Sequence, residues 1–296
     1  MFKYARILKM RLKKYLDQLE DLNGKKVIIT GGTSGIGLSI VKHLLYKHAH
    51  VVVMARNLNK ANEIKEKLLE TFPNNEIEII EYDQSNDQSI IEASKVIASQ
   101  HLDFYALILN AGVFQSKNKS TCVDDIALTI KTNFVGLNNL LDNLLSHLNG
   151  QHRIVFQGSV AAGFHIKKIQ SLKDKNISAW QQYCISKAGV ESTYFHYYKN
   201  SPKNLAFYLV EPGLTNTEII RDFPTPIKQM GHVFLKVVSH SSDKAALTAL
   251  LALQSNISNG SFIVPRGIFT FMGYPKIKSF PRKRERPELY NLLVKL

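Results

Sequence analysis

The feature that most narrows the fold of this chain is a regular alternation. Continuous apolar runs recur at residues 26–30, 50–54, 76–82, 104–110, 153–157 and 205–210, with a shorter candidate at 261–264. Between them, residues 36–48, 58–71, 87–100, 124–148, 180–200 and 242–255 carry apolar side chains at helical spacing. Runs of Val, Ile and Leu without polar interruption suit strands covered on both faces, and strands separated by helices imply crossovers and a parallel sheet. The expectation is an α/β fold, a doubly wound parallel sheet in a single domain. The 296 residues, 45% hydrophobic, can bury such a core, and no repeat or low-complexity tract divides them.

Within this frame the stretch TGGTSGIG, Thr30 to Gly37, lies between the first strand and the first helix after it. Glycines there let the chain turn tightly, let backbone amides approach a phosphate and let the helix pack close to the strand. The phosphate then sits at the positive helix N-terminus. The competing reading is a tight turn with no ligand. The end of the second strand, Val51-Val52-Val53-Met54-Ala55-Arg56-Asn57, holds no acid for the ribose hydroxyls of NAD. Arg56 can instead offer its planar fork to a 2′-phosphate, which favours NADP(H) over NAD(H). Otherwise Arg56 is a solvated loop residue.

Tyr183-Cys184-Ile185-Ser186-Lys187 carries the candidate chemistry. Four positions apart, Tyr183 and Lys187 share a helix face, and a nearby ammonium is expected to lower the phenol pKa toward that of a general acid/base. Alone, such a pair is as readily a packed ring beside a solvated amine.

Taken together, these pieces resemble the short-chain dehydrogenase/reductase family over roughly residues 24–265. The matching residues are Thr30-Gly31-x3-Gly35-x-Gly37, Asp83, Asn110-Ala111-Gly112, Asn133, Ser159, Tyr183-x3-Lys187 and Pro212-Gly213-x3-Thr217. The resemblance implies a Rossmann-type sheet and an NADP(H)-dependent oxidoreductase. It implies that Gly31, Thr33, Ser34, Gly35, Ile36 and Gly37 bind the cofactor with Arg56 and Asn57, that Asp83 holds the adenine amine, and that Asn110, Ala111 and Gly112 line the cofactor. Pro212, Gly213 and Thr217 would face the nicotinamide. Tyr183 would exchange the proton, Lys187 would bind the ribose and tune Tyr183, Ser159 would polarise the carbonyl, and Asn133 would hold a relay water.

Ser159 and Tyr183 stand 24 positions apart, a longer spacing than in classical members. The insert from Phe164 to Asn176 resembles that of the retinol-dehydrogenase-like subgroup and is expected to form a wall of the substrate entrance. A lid is expected near 218–240, with Phe223, Pro224, Pro226, Ile227, Met230, Val233, Phe234 and Leu235, and residues 262–274 add Ile263, Val264, Ile268, Phe269, Phe271 and Met272. Such a lining favours a lipophilic carbonyl or alcohol; core packing or a subunit contact would produce the same composition.

The net charge of +14 is concentrated partly at the two ends, in residues 1–14 and in Pro281-Arg282-Lys283-Arg284-Glu285-Arg286. Without a helix-turn-helix, finger or aromatic-basic motif, this reads as solvated basic faces, including a basic C-terminal tail near 276–296, and no nucleic-acid partner is expected. Tyr4, Leu8, Leu12, Tyr15, Leu16 and Leu19 recur at helical steps in an amphipathic segment, residues 1–22. It could lie on an anionic membrane, although packing on its own domain or on a partner subunit is the ordinary explanation. Cys122 and Cys184 make neither a disulfide framework nor a metal site, which suits a reducing cytoplasm, with peripheral membrane contact left open. The family resemblance implies a homodimer or homotetramer, built on the helix after Asn110-Ala111-Gly112 and the helix carrying Tyr183. Two other classes stay open: a non-catalytic NADP-binding regulator or scaffold on the same fold, and a sugar-nucleotide epimerase or dehydratase.

Overall fold

Val27 and Ile29 leave the first strand on one face and Ile28 on the other, and all three are fully buried. The same alternation runs through the neighbouring strands. Val51, Val53, Ala106 and Ile108 join Val27 and Ile29 in one apolar cluster, while Val52, Met54, Leu107 and Leu109 join Ile28 in the other. A sheet that is apolar on both faces needs a helical layer on each. The computed structural model describes residues 2–115, 121–166, 169–174, 176–215, 241–267 and 270–296, and the side chains of residues 2–9 lie outside the description.

The strands are β1 (Lys26–Thr30), β2 (His50–Ala55), β3 (Ile77–Glu81), β4 (Ala106–Leu109), β5 (Cys122–Val123), β6 (Ile126–Ala127), β7 (His152–Gln157), β8 (Leu205–Val210), β9 (Phe262–Pro265) and β10 (Pro275–Lys278). Eight of them form one sheet in the order β10-β9-β8-β7-β4-β1-β2-β3, parallel except for the edge pair β9/β10. The helices are α1 (Phe2–Asp17), α2 (Gly35–Tyr46), α3 (Leu58–Thr71), α4 (Asp87–Gln100), α5 (Leu128–Ile130), α6 (Gly136–Leu145), α7 (Ala179–Asn200), α8 (Ser242–Ala245), α9 (Leu247–Ala252) and α10 (Pro287–Leu293). Helices α2, α3 and α9 cover one face; α4, α6 and α7 cover the other. The strand order reverses between β1 and β4, so a crevice opens beyond their carboxyl ends, where an open α/β sheet binds its ligand.

The segment 124–148, strand β10 and helix α10 depart from the expectation. The segment 124–148 is not one helix: Asp124 and Asp125, with φ of 52° and 64°, turn the β5/β6 hairpin, and a π turn, Lys131–Val135, separates α5 from α6. Strand β10 and helix α10 lie in what the basic composition suggested was a tail. Helix α1 forms, and its described apolar residues pack on the chain itself. Leu16, Leu19 and Leu22 are buried, and Tyr15 stacks on Tyr274 with ring centroids 4.9 Å apart. On helix α7, Leu289 of the chain's own C-terminal segment is buried beside Ile185 and Ala188. No helix among the described residues is long and apolar enough to cross a membrane.

Candidate active site

The chain turns immediately after β1. Gly31 and Gly35 take φ of 72° and 52°, a region costly for residues with a Cβ. Gly37 lies so close beneath the turn that a Cβ on it would stand 2.1 Å from the Gly31 carbonyl oxygen. Ser34, at the N-cap of α2, makes no side-chain bond to the helix amides. The first-turn N–H groups and the positive end of the helix dipole are therefore left for an anion. Asn110 ties the end of β4 to this turn. Its Nδ2 donates to the carbonyls of Thr30 (3.0 Å) and Gly31 (3.1 Å), while Thr30 Oγ1 accepts from the amides of Asn110 (3.1 Å) and Ala111 (2.9 Å).

A cavity of about 740 Å³ follows this crevice, lined by Gly31, Thr33, Ser34, Gly35, Ile36, Gly37, Arg56, Asp83, Asn110, Ala111, Gly112, Ser159, Tyr183, Lys187, Pro212 and Gly213. The Arg56 side chain is 71% exposed and stands 3.9 Å from Asp83. Asn57 is not in the lining: it caps α3, its Oδ1 accepting from the Lys60 amide at 2.9 Å. Thr217 and the expected lid near 218–240 lie outside the described residues, as do Ile268 and Phe269. Ile263 and Val264 belong to the sheet core, leaving Phe271 as the expected apolar residue of that segment that lines the cavity.

At the far end of the cavity, Ser159 precedes a 3-10 turn, Val160–Gly163, and its Oγ accepts from the Ala161 amide at 3.1 Å. The Ser159 side chain is also hydrogen-bonded to Tyr183. The Tyr183 ring packs edge-on against Phe114, centroids 5.4 Å apart, and beside Trp180 at 6.1 Å. Burial pushes the Tyr183 hydroxyl up from its ordinary pKa, opposed by the Ser159 hydrogen bond. This reverses the expected direction. The tuning is seen on Lys187 instead: burial lowers its ammonium to about 8, with Glu191 opposing. Lys187 Nζ donates to the Gln157 carbonyl at 3.1 Å.

Asn133 sits in the π turn, buried and outside the lining, with its side chain committed to protein partners. Nδ2 donates to the Val113 carbonyl (2.9 Å) and to Ser186 Oγ (3.0 Å), and Oδ1 accepts from the Val113 amide (2.7 Å). It thus holds the loop after Gly112 against α7.

The structure adds Trp180 and Gln157 to the cavity residues singled out by pattern, and it puts Phe164 of the insert where a wall of the entrance was expected. Phe164 and Trp180 line the cavity with their rings in T-shaped contact, 5.5 Å between centroids. From the described insert, Ile169 and Leu172 turn into a core cluster, while His165, Gln170, Ser171, Lys173 and Asn176 are exposed. Gln157, the last residue of β7, lines the cavity with both side-chain amide atoms buried and without a protein partner. A buried amide without a partner is costly. Together with the glycine cradle, it fits a dinucleotide whose polar groups complete the wall.

A family model for short chain dehydrogenases matches residues 25–227, and the chain belongs to the short-chain dehydrogenase family. Human retinol dehydrogenase 11 is 28% identical over 206 residues, covering 68% of this chain and 64% of that protein. Human polyprenol dehydrogenase is 27% identical over 206 residues, covering 66% of this chain and 62% of that one. The chloroplastic short-chain dehydrogenase TIC 32 B of Brassica napus is 38% identical over 122 residues, 40% of this chain and 36% of the relative. The chain therefore spans only between 36% and 64% of the length of these relatives. Among solved structures, a metagenomic short-chain oxidoreductase in complex with NADP superposes with a TM-score of 0.60 at 20% identity, covering 81% of this chain and 96% of that one. Levodione reductase superposes at 0.63 with 17% identity, over 79% and 92%. These likenesses show the fold.

Proposed function

We propose that the protein is an NADP(H)-dependent oxidoreductase that interconverts a carbonyl and an alcohol on a lipophilic small molecule. The observation that carries this reading is one continuous cavity with a phosphate cradle and Arg56 at one end and Ser159, Tyr183 and Lys187 at the other. Gly31, Gly35 and Gly37 would hold the pyrophosphate, Arg56 the 2′-phosphate, Asp83 the adenine amine and Gln157 an amide-like group. Asn110, Ala111, Gly112, Pro212 and Gly213 would shape the slot. Nicotinamide, when bound, supplies or accepts a hydride.

The chain's own residues do the rest. Ser159 Oγ, held by the Ala161 amide and beside Tyr183, would turn its O–H to a substrate carbonyl oxygen and fix its position. Tyr183 holds the proton at Oη that the same oxygen takes on reduction, or accepts it on oxidation. Lys187, as an ammonium, favours the phenolate left behind. Phe164, Trp180, Tyr183, Leu214 and Phe271 give the substrate an apolar, aromatic wall. The names of the human relatives, a retinol and a polyprenol dehydrogenase, agree with a lipophilic substrate, and the NADP in a structural neighbour agrees with the cofactor.

The test is NADPH oxidation by the purified protein with all-trans-retinal, a steroid ketone and medium-chain aldehydes, with NADH and Tyr183→Phe run alongside. Turnover that prefers NADPH and is lost in Tyr183→Phe is expected. NADPH binding without turnover of any of these would favour a non-catalytic cofactor-binding protein.

A further inference from the structure

Within the basic run Pro281 to Arg286, Arg282 and Lys283 are exposed, but Arg284 turns inward. Arg284 is buried, its guanidinium 5.4 Å from the Phe280 ring and 5.7 Å from that of Phe262. It meets two carboxylates from distant parts of the chain. Nε donates to Glu191 Oε2 at 3.1 Å and Nη2 to Glu191 Oε1, while Nη2 also reaches Glu211 Oε1 at 2.5 Å. The same Nη2 contacts the carbonyl of Ser159 at 3.4 Å. Arg286, two residues on, donates to the carbonyl of Ala162 at 2.6 Å. The two arginines thus hold both ends of the 3-10 turn that presents Ser159. Ser192 Oγ bonds the Arg286 carbonyl (2.7 Å) and accepts from the Tyr290 amide (3.1 Å), which docks the whole segment on α7.

Glu191 lies one helical turn beyond Lys187, and both are buried. Glu191 and Glu211 both turn their carboxyl groups onto Arg284 in that interior, and a planar fork suits the shared arrangement better than a point charge. We propose that Arg284 is a positioning residue of the catalytic site, fixing the Ser159 turn against α7 and setting the charge one turn from Lys187. This rests on the reading of Ser159, Tyr183 and Lys187 as the reacting groups.

The charged groups around Lys187 and Glu191 define the expected response. Glu191 acts on Lys187 from its own helix, and Glu191 is in turn met by Glu211 from just past β8 and by Arg284 and Arg286 from the C-terminal segment, Arg286 also acting on Cys184. Glu191 raises the Lys187 pKa, so its loss lowers it. Arg284 favours the ionised form of Glu191, so weakening Arg284 has the same sign.

The experiment follows the lysine side-chain Cε resonances of the full chain by carbon-13 NMR over pH, with Lys187 assigned by its absence in Lys187→Arg. Parent, Glu191→Gln and Arg284→Lys are compared. Lys187 in both variants is expected to titrate about one pH unit or more below the parent. With all-trans-retinal, both are expected to lose about tenfold or more in kcat with KM nearly unchanged, the pattern of a group that acts on the reacting residues and not on substrate binding. Folded variants with the parent's Lys187 midpoint would overturn the proposal. Should Arg284→Lys fail to fold by circular dichroism, Glu191→Gln decides alone, since Gln keeps the shape and an acceptor for Arg284. Absence of turnover by the parent would sink the functional reading, while the lysine titration would still decide this one.

Discussion

Asn133 takes both backbone groups of Val113, donating to its carbonyl at 2.9 Å and accepting from its amide at 2.7 Å. A side-chain amide here replaces the strand neighbour that Val113 lacks once β4 has ended, and so fixes the loop beneath Gly112. Asn133→Ala leaves buried donors and acceptors unpaired, each costing about 1–3 kcal/mol. A loss of roughly 2–4 kcal/mol on that basis should appear in urea unfolding, and an unchanged midpoint would contradict it.

The buried pair on α7 gives stability a signature in pH. Burial raises Glu191 from 4.5 to about 8, so in that window the folded chain holds a proton that the unfolded chain has released. Its contribution is full below 4.5 and is lost as pH rises through about 8. Lys187 is lowered from 10.5 to about 8, so its contribution is present above 10.5 and lost as pH falls through about 8. Together they place a trough in stability near pH 8. Urea midpoints measured from pH 5 to 10 should show Glu191→Gln losing the falling acid side of that trough; parallel curves for parent and variant would refute the assignment.

Arg56 tests the cofactor reading at one atom group. Among the described residues its exposed fork has a long contact to Asp83, at 3.9 Å. A charge-assisted contact to a phosphate is worth about 1.5–3 kcal/mol, or roughly 10- to 100-fold in affinity. Arg56→Ala should weaken NADPH binding by about that factor and leave NADH binding nearly as it was, read by cofactor fluorescence. Equal loss for both cofactors would remove the 2′-phosphate from the argument.

Gly37→Ala tests the cradle. The added methyl would stand 2.1 Å from the Gly31 carbonyl oxygen, against backbone with no side chain to swing away. The turn must open, and the dissociation constant for NADPH should rise at least about tenfold, equivalent to 1.4 kcal/mol. Parent-like binding would show that the turn does not hold the cofactor.

The parts of this molecule that could be read in advance are those whose cause is local. Val27-Ile28-Ile29 reads as a strand because both faces are buried, and Tyr183 and Lys187 read as a pair because four residues span a helical turn. Strand β10, Pro-Lys-Ile-Lys, gave no apolar run because it lies at the edge and pairs on one side only. The β5/β6 turn was missed because Asp124-Asp125 is a weaker signal for positive φ than Asn-Gly. The direction of the Tyr183 shift was missed because helical spacing reports a charged neighbour but not the depth of burial around the ring. Arg284 was read as solvated for a similar reason: a basic run looks alike whether it meets water or acids 93 and 73 residues away.

That last arrangement bears on how the sequence can change over time. Exchange of Arg284 alone strands two carboxylates in the interior, and exchange of Glu191 or Glu211 alone leaves guanidinium donors without an acceptor there. Each single step costs stability, whereas a joint exchange to apolar residues of similar volume spares stability and costs only the positioning of Ser159. In a lineage descending from this chain the three positions would be kept together or replaced together, and a pair retained without its third member would be the rare state.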